Sequence, residues 1–226
     1  MALRVRAVVF DLDGTLVDSA ISIAVALNRL RARRGVPTPL DPEDVKRWVS
    51  LGAETLVRNA LADAGGDNAF DLTEFRAEYA TVETPVDCLY PGVLDTLRAL
   101  ASSGLTLGIC SNKPQLLCEK VLQDTGVLYF FSAIVGGDAV AQPKPNPAHL
   151  LSVIDSLGAV NGESVYIGDS SIDVRASEAA GVPFVLARYG YADRALLEMD
   201  QTRLKSIASL IELPALLASR IGVSTF

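Results

Sequence analysis

Short, almost continuously apolar runs alternate along most of the chain with longer segments of helical pattern, and this alternation constrains the fold more than any other feature. The apolar runs lie at residues 4–10, 105–110, 164–167 and 183–187, with a weaker one at 133–135. The accompanying helical patterns lie at 91–103, 114–124, 147–158 and 171–181. Strands that are apolar throughout are typical of a parallel sheet covered by helices on both faces. The sequence therefore predicts an α/β fold with a Rossmann-like, doubly wound parallel sheet.

One long stretch interrupts this alternation, because residues 18–88 contain no convincing strand. The helical patterns in it lie at 19–34, 42–48, 53–64 and 73–82. A proline-containing segment at 84–92 then has the composition of a linker. We therefore expect a core formed by residues 1–17 and 89–226 and an inserted helical domain formed by residues 18–88. A last amphipathic helix is expected at about 206–219, with Pro214 near its middle.

Composition excludes several classes of partner. The chain has 226 residues, half of them hydrophobic, which is enough for one large core. Its 20 Lys and Arg residues and 27 Asp and Glu residues give a formal net charge of −7, which disfavours binding to nucleic acid or to an anionic membrane surface. No apolar stretch approaches the roughly 18 residues that span a bilayer. We therefore expect neither a nucleic acid nor a membrane as partner.

The cysteines and the beginning of the chain favour a cytoplasmic protein. Cys88, Cys110 and Cys118 are an odd set without a Cys-x-x-Cys spacing. The first apolar run leads directly into Asp11, which is not the pattern of a signal peptide. The single histidine, His149, leaves no multi-histidine metal site. Chemistry in this chain is therefore expected to depend on carboxylates, lysine and hydroxyl groups.

Polar motifs follow the predicted strands. They are Asp11-Leu12-Asp13-Gly14-Thr15, Ser111-Asn112-Lys113, the proline-flanked Lys144 and Gly168-Asp169-Ser170-Ser171-Ile172-Asp173. Each motif taken singly is also compatible with a helix cap or a solvated loop. Ligands in doubly wound sheets bind beyond the carboxyl ends of the strands, so we expect the four motifs to converge at one edge.

The carboxylates in these motifs form two pairs that would repel one another. Asp11 and Asp13 are two residues apart on a strand and point to the same face. Asp169 and Asp173 have the i, i+4 spacing at a helix start, where like charges cost roughly 0.2–0.5 kcal/mol. A hard divalent cation with oxygen ligands offsets both repulsions. The four carboxylates therefore predict a Mg²⁺ site.

With these motifs in this order, the sequence resembles the haloacid dehalogenase superfamily in its phosphatase branch. The resemblance implies that Asp11 is the nucleophile on phosphorus and that Asp13 is the general acid and then the general base. It implies that residues 18–88 are a small helical cap domain. The other positions matching the family's catalytic hydroxyl, catalytic lysine and metal-binding acids are Ser111, Lys144, Asp169 and Asp173.

The same resemblance implies hydrolysis of a small-molecule phosphate ester through an aspartyl-phosphate intermediate. The acid at Asp13 disfavours dehalogenases and phosphonate hydrolases, and Thr15 disfavours sugar phosphomutases. Segments including 18–20, 90–93 and 189–191 are similar to bacterial phosphoglycolate phosphatases. We therefore expect 2-phosphoglycolate as substrate and a monomer or homodimer as the assembly. A non-catalytic binding protein that retains the fold is the alternative of another class, disfavoured because every catalytic position is filled.

Substrate-binding positions are expected in both parts of the chain. In the core they are Gly14, Thr15 and Asn112, beside the reacting phosphate. In the insert they are Ser50-Leu51-Gly52, where family members commonly carry Gly-polar-Gly. Leu51 offers no hydrogen bond to a carboxylate, which keeps a sugar phosphate or another small metabolite open as substrate. The candidate counter-charges for an anionic substrate are Arg and Lys residues of the insert, such as Arg47 or Arg58, with a simple surface position as the alternative for either.

Overall fold

Six parallel strands form a single sheet in the computed structural model, which describes residues 5–49, 51–66, 68–192, 194–198 and 204–221. The strands are β1 (Ala7–Phe10), β2 (Thr106–Ser111), β3 (Ala133–Gly136), β4 (Ser164–Gly168), β5 (Phe184–Ala187) and β6 (Lys205–Ile207). Their order across the sheet is β3-β2-β1-β4-β5-β6. The order reverses at β1, as it does in doubly wound sheets. The predicted α/β fold class is confirmed.

Strand β1 lies at the centre because both of its faces are apolar. All four of its residues are buried. Val8 and Phe10 belong to one side of the core, and Ala7 and Val9 belong to the other. Phe10 pairs in parallel register with residues of both β2 and β4. The segments that follow β1, β2 and β4 therefore leave the sheet at the same edge.

The helices that cover the sheet follow the predicted alternation. They are α5 (Val93–Ser102), α6 (Gln115–Asp124), α7 (Pro147–Ser156), α8 (Ser171–Ala180), a short α9 (Arg194–Leu197) and α10 (Leu213–Ile221). Helix α7 packs against β1, β2 and β3, and α8 packs against β4 and β5. None of the helices in the described ranges is long and apolar enough to cross a membrane.

Four helices lie between β1 and α5 in the sequence. They are α1 (Ala20–Arg33), α2 (Pro42–Val49), α3 (Ala53–Ala60) and α4 (Asn68–Tyr79), and we refer to them together as the helical insert. Helix α1 packs against α2 and α4, and α3 also packs against both. No strand occurs among the described residues between Ala20 and Tyr79. The division into a core and a cap domain at residues 17/18 and 88/89 stays a prediction.

The predicted carboxyl-terminal helix is wrong in its first half. Residues 205–207 form the edge strand β6, and α10 begins only at Leu213. Pro214 therefore lies in the first turn of α10, where a missing backbone N–H costs no helical hydrogen bond. Thr96 fixes this segment to α5, because its hydroxyl donates a hydrogen bond of 3.1 Å to the carbonyl of Leu210.

Gly108 in β2 allows α7 to lie close to the sheet, and this generates a prediction. A Cβ atom at residue 108 would lie 2.7 Å from Cγ1 of Val153 and 3.0 Å from Cδ1 of Leu157. We expect Gly108→Val to lower the free energy of unfolding by about 1–3 kcal/mol through overpacking, and Gly108→Ala to lower it by less. Urea denaturation measures both.

A double mutant tests the cause of this loss. Val153→Ala removes the atoms that the new side chain would meet, so it should cost less in the Gly108→Ala background than in the wild type. Equal costs in the two backgrounds would contradict the close approach of α7.

Candidate active site

Asp11 begins the site at the carboxyl end of the central strand. Its backbone N–H donates a 2.8 Å hydrogen bond to the carbonyl of Ile167, which ties the residue to β4. Its buried carboxylate lies with those of Asp169 and Asp173, and one oxygen from each of the three lies within 4.8 Å of the others. The structure thus brings together carboxylates that are far apart in the sequence.

Lys144 supplies the positive charge within this group. Its Nζ lies 3.0 Å from Asp11 Oδ1 and donates hydrogen bonds of 2.7 Å to Asp173 Oδ1 and 2.8 Å to the Tyr166 hydroxyl. The Tyr166 hydroxyl donates in turn to Asp173 Oδ1 over 2.6 Å. The side chain of Lys144 is only 2% exposed, so this ammonium is a buried counter-ion and not a solvated loop lysine.

The single histidine holds the loop that carries Lys144. Nδ1 of His149 accepts a 3.3 Å hydrogen bond from the backbone N–H of Lys144, so Nε2 carries the proton and donates to the Val135 carbonyl over 3.0 Å. Burial lowers the pKa of His149 below its ordinary value. A neutral, fully engaged imidazole positions the loop and is not a general base.

Asp173 has two functions at the start of α8. Its Oδ2 accepts hydrogen bonds from the backbone N–H and the hydroxyl of Ser170, which completes a capping box. Its Oδ1 accepts from Lys144 and Tyr166. Gly168 is required beside it, because a Cβ at that residue would lie 2.6 Å from Cγ of Asp173. The motif therefore caps α8 and also places Asp173 close to Asp11 and Asp169.

Two residues predicted to contact the phosphate contact Asp169 instead. The hydroxyl of Thr15 is fully buried and donates to Asp169 Oδ1 over 3.2 Å. Gly14 has φ of +82°, and a Cβ there would lie 2.1 Å from Asp169 Oδ2. The backbone N–H of Gly14 donates to the Val17 carbonyl, so it is not available to a ligand. Together with the N–H of Tyr191, 2.7 Å from Asp169 Oδ2, these groups orient the carboxylate.

Asp13 is not among the carboxylates whose oxygens lie within 4.8 Å of one another, and its place among the metal ligands stays a prediction. Its Oδ2 pairs at 3.0 Å with Nζ of Lys113, whose side chain is buried. Lys113 also lies over the ring of Tyr79 in α4, 4.7 Å from the centroid. Lys113 is therefore a buried partner of Asp13 and not a solvated loop residue. The sequence signal was its position directly after the Ser-Asn pair that follows β2.

A cavity of about 130 Å³ lies between this edge of the sheet and the helical insert. Ser111 and Asn112 line it, and Nδ2 of Asn112 donates a 2.9 Å hydrogen bond to the Lys144 carbonyl. Its other core residues include Asp11, Asp13, Lys113, Lys144, Asp169 and Tyr191. Its residues from the insert include Ile23, Val49, Gly52, Leu56, Phe75, Arg76 and Tyr79.

The loop between α2 and α3 contributes less than predicted. Gly52 lines the cavity, but Leu51 is 59% exposed and is not among the lining residues. Gly52 has φ of +92°, so the chain turns sharply at this point and leaves the Leu51 side chain outside. Ser50 lies outside the described residues.

The predicted counter-charges Arg47 and Arg58 do not line the cavity. Arg47 forms an ion pair with Asp44, and Arg58 donates to the hydroxyl of Thr55 on its own helix. The arginine in the cavity wall is Arg76 of α4. Sequence reasoning missed it because the helical pattern was placed at 73–82 without deciding which face of that helix meets the core.

A comparison with known families decides the assignment of the chain. The model of the haloacid dehalogenase-like hydrolases matches residues 8–187, which include all four motifs. The chain belongs to the haloacid dehalogenase-like hydrolase family. The predicted family is confirmed.

Relatives within this family are phosphatases by name. The phosphoglycolate phosphatase of Rhodospirillum rubrum is 42% identical over 196 residues, which are 83% of this chain and 81% of the relative. That of Pseudomonas putida is 41% identical over 194 residues, covering 82% and 70%. The crystal structure of a predicted phosphoglycolate phosphatase from Haemophilus somnus superposes with a TM-score of 0.79 at 26% identity, covering 94% of this chain and 97% of that one. The predicted class of enzyme, a phosphoric monoester hydrolase, is confirmed.

The acidic group of this hydrolase fits a divalent cation. Burial raises the pKa of Asp11 to about 7; Lys144 opposes this rise, and the charges of Asp173 and Asp13 add to it. Burial and the charges of Asp173 and Asp11 also raise the pKa of Asp169 well above its ordinary value. Burial opposes ionisation of Asp173 too, but Lys144 holds its pKa below the ordinary value. The single ammonium of Lys144 thus serves both Asp11 and Asp173, and Asp169 has no cationic partner among the described residues.

Unpartnered polar atoms point to the same conclusion. Oδ1 of Asp13 is buried without a hydrogen-bond partner among the described residues, and Oδ1 of Asp11 is buried with only the Lys144 ammonium, 3.0 Å away, beside it. Carboxylate oxygens are the ligands that Mg²⁺ prefers, and one to two carboxylates are its usual protein ligands. Asp11, Asp169 and Asp173 are the group whose oxygens lie close enough together to hold such an ion.

The metal site can be tested without an activity assay. At about 100 times its dissociation constant, Mg²⁺ should stabilise the fold by about 2.7 kcal/mol. For a chain of this size, that raises the melting temperature by roughly 5–10 °C. We expect Asp169→Asn to remove most of this rise, measured by differential scanning fluorimetry over a MgCl₂ series.

The matched control is Asp95→Asn, which changes an exposed aspartate of α5 that lies 3.6 Å from Arg98. This variant should keep the full Mg²⁺-dependent rise. An Asp169→Asn protein that responds to Mg²⁺ as the wild type does would contradict the assignment of this carboxylate to the metal.

Proposed function

We propose that the protein is a Mg²⁺-dependent phosphatase that hydrolyses a small phosphate monoester, 2-phosphoglycolate in the first instance, through an aspartyl phosphate on Asp11. The observation that carries the proposal is the placement of two carboxylates in one cavity wall. Asp11 is held beside Lys144, and Asp13 is held beside Lys113. A nucleophile and a proton donor with separate counter-ions are what two-step hydrolysis requires.

The first step transfers the phosphoryl group to the protein. A carboxylate oxygen of Asp11 attacks phosphorus, and the bond from phosphorus to the ester oxygen breaks. Asp13 donates its proton to the departing alkoxide, so a neutral alcohol leaves. The electron pair of the broken bond stays on the ester oxygen. The Asp11 backbone hydrogen bond to β4 fixes the nucleophile for this attack.

The second step returns Asp11 to its starting state. Asp13, now ionised, takes a proton from a water molecule whose oxygen attacks phosphorus. The bond between phosphorus and the Asp11 oxygen breaks, and inorganic phosphate leaves with the water oxygen. Lys113, whose Nζ lies 3.0 Å from Asp13 Oδ2, keeps the Asp13 side chain in the cavity.

Charge on the transferring group is balanced by the surrounding side chains. Lys144 offers its ammonium beside Asp11, and Ser111 offers a hydroxyl at the end of β2 in the same cavity. Asn112 links the two motifs through its hydrogen bond to the Lys144 carbonyl. Phosphoryl transfer depends mainly on such positioning and charge stabilisation. Lys144 and Ser111 are therefore assigned to the reaction, and Asn112 to the support of their geometry.

Asp11, Asp169 and Asp173 would hold the Mg²⁺ ion. When bound, the cation screens the repulsion between the Asp11 carboxylate and the phosphoryl dianion. Thr15, Gly14 and the backbone of Tyr191 position Asp169 for this purpose.

Two observations support 2-phosphoglycolate as the substrate: the names of the relatives and the size of the cavity. Both relatives compared above are phosphoglycolate phosphatases by name. The cavity is small, about 130 Å³, and has apolar walls from α1, α3 and α4. It suits a compact phosphate ester.

We propose the cytoplasm as the compartment. Cys88, Cys110 and Cys118 are all free and buried. Free thiols are typical of proteins in a reducing compartment.

A burst experiment tests the two-step mechanism. p-Nitrophenol leaves without the help of an acid, so Asp13→Asn should still transfer the phosphoryl group from p-nitrophenyl phosphate to Asp11. Without its general base, the variant should hydrolyse the aspartyl phosphate slowly. We expect a burst of about one equivalent of p-nitrophenol per enzyme followed by a slow phase. Stopped-flow absorbance measures the burst, and peptide mass spectrometry locates the phosphate.

Asp11→Asn is the control, because an amide is a poor nucleophile, and it should show neither burst nor phosphopeptide. A linear time course for Asp13→Asn with no phosphate on Asp11 would contradict the covalent intermediate and favour direct attack by water.

A further inference from the structure

Three cationic side chains line the cavity, and two of them are neutralised there. Lys144 is surrounded by Asp11 and Asp173, and Lys113 is paired with Asp13. The third is Arg76 of α4. Within the described part of the chain, Arg76 has neither an acidic group within 4.0 Å nor a hydrogen-bond partner for its guanidinium. The cavity wall therefore carries one positive charge that the protein itself does not neutralise.

The lack of an ion-pair partner distinguishes Arg76 from the neighbouring arginines of the helical insert. The ion pairs that join α1 to α4 connect Arg29 and Arg33 to Glu78, and Arg34 to Asp71 and Glu74. Arg31, the other arginine of α1, binds Asp63 and the Ala60 carbonyl. Helix α4 thus directs its acidic side chains to α1 and its one arginine to the cavity.

Arg76 is exposed and lies on α4 beside two buried aromatic residues. Phe75 and Tyr79 are buried, and their rings stack with centroids 5.8 Å apart. Arg76 and Tyr79 are three residues apart, a spacing that places both on one side of a helix, and both line the cavity. The Tyr79 ring contacts Lys113, which binds Asp13. Arg76 therefore shares a helix face with the ring that contacts the Lys113–Asp13 pair.

The chemistry of the substrate suits this arrangement. When phosphorus is at Asp11 and the ester oxygen is near Asp13, the rest of the substrate extends toward the α4 wall. In 2-phosphoglycolate that remainder is a methylene group with a carboxylate. A guanidinium has a planar fork of donors that matches a carboxylate with two hydrogen bonds, and its long side chain reaches across a small cavity. A neutral alcohol or sugar gives it no such partner.

We propose that Arg76 binds the carboxylate of the substrate and makes the enzyme select phosphorylated carboxylic acids over neutral phosphate esters. This inference rests on the function proposed above and names the residue that determines its specificity. It replaces Arg47 and Arg58, which lie outside the cavity.

A matched pair of substrates tests the proposal. 2-Phosphoglycolate and ethyl phosphate share the phosphate, the ester oxygen and the methylene group, but ethyl phosphate has a methyl group in place of the carboxylate. The quantity measured is the ratio of their kcat/KM values. In the wild type this ratio should favour 2-phosphoglycolate, and Arg76→Gln should lower it about 10- to 100-fold, as expected for losing hydrogen bonds between charged groups. Arg76→Lys should retain part of the ratio, because it keeps the charge and loses the fork.

Arg58→Gln is the matched control, since it removes another arginine of the insert that does not line the cavity. It should keep the wild-type ratio. A melting temperature measured for each variant shows whether the fold is retained.

The remaining outcomes separate this proposal from the proposed function. If Arg76→Gln is folded and keeps the wild-type ratio, Arg76 does not bind the carboxylate, while 2-phosphoglycolate hydrolysis stands. If the wild type hydrolyses both esters equally well, carboxylate selection is overturned, while the phosphatase mechanism stands on the Asp13→Asn burst. If neither ester nor p-nitrophenyl phosphate is hydrolysed in the presence of Mg²⁺, the proposed function and this inference both fail.

Discussion

The buried ammonium of Lys144 is the group on which the rest of the site depends. It lies between the carboxylates of Asp11 and Asp173, and all three side chains are largely shielded from water. A buried ion pair stabilises a fold only weakly, but removing one partner leaves an uncompensated charge that costs about 3–5 kcal/mol. The chain therefore holds Lys144 from several directions. Tyr166 binds its Nζ, and His149 binds its backbone N–H.

The carboxylates are packed so closely that several neighbouring positions have no room for a side chain and are occupied by glycine. A Cβ at Gly168 would overlap Asp173, and one at Gly14 or Gly190 would overlap Asp169. Gly14 also has a positive φ, which a residue with a side chain rarely adopts. Two segments far apart in the sequence can approach the same carboxylate only because neither carries a side chain there. The spacing Asp-x-Asp-Gly is thus a steric consequence of packing acids at one edge of a sheet.

Much of the core could be predicted because its strands are buried on both faces and polar motifs follow their carboxyl ends. The apolar run before Asp11 and the register of β1 with β2 and β4 suffice to bring Asp11, Ser111 and Asp169 together. Strand β6 escaped prediction because Lys205–Ile207 is short and partly polar, as edge strands often are.

Contacts between segments distant in the sequence were less predictable than the motifs themselves. Thr15 follows Asp13 closely, which suggests a shared ligand, but its hydroxyl is turned toward Asp169 by the loop after β1. Asp13 is two residues from Asp11, yet its carboxylate pairs with a different lysine, Lys113. A sequence motif fixes which groups are available at the sheet edge. Which of these groups contact one another is decided by the loops and by lysines that belong to other motifs.

The sheet edge and the helical insert contribute different kinds of side chains to the cavity wall. The carboxylates and lysines from the sheet edge are bound to one another, so a change in any of them disturbs several others. The insert contributes mainly apolar side chains together with Arg76. A substitution on that wall can alter the shape and charge of the cavity without disturbing the buried charges at the sheet edge. Function in a shared fold resides in such sites rather than in the fold. The insert is therefore the part of this chain in which substrate preference can change while the chemistry stays the same.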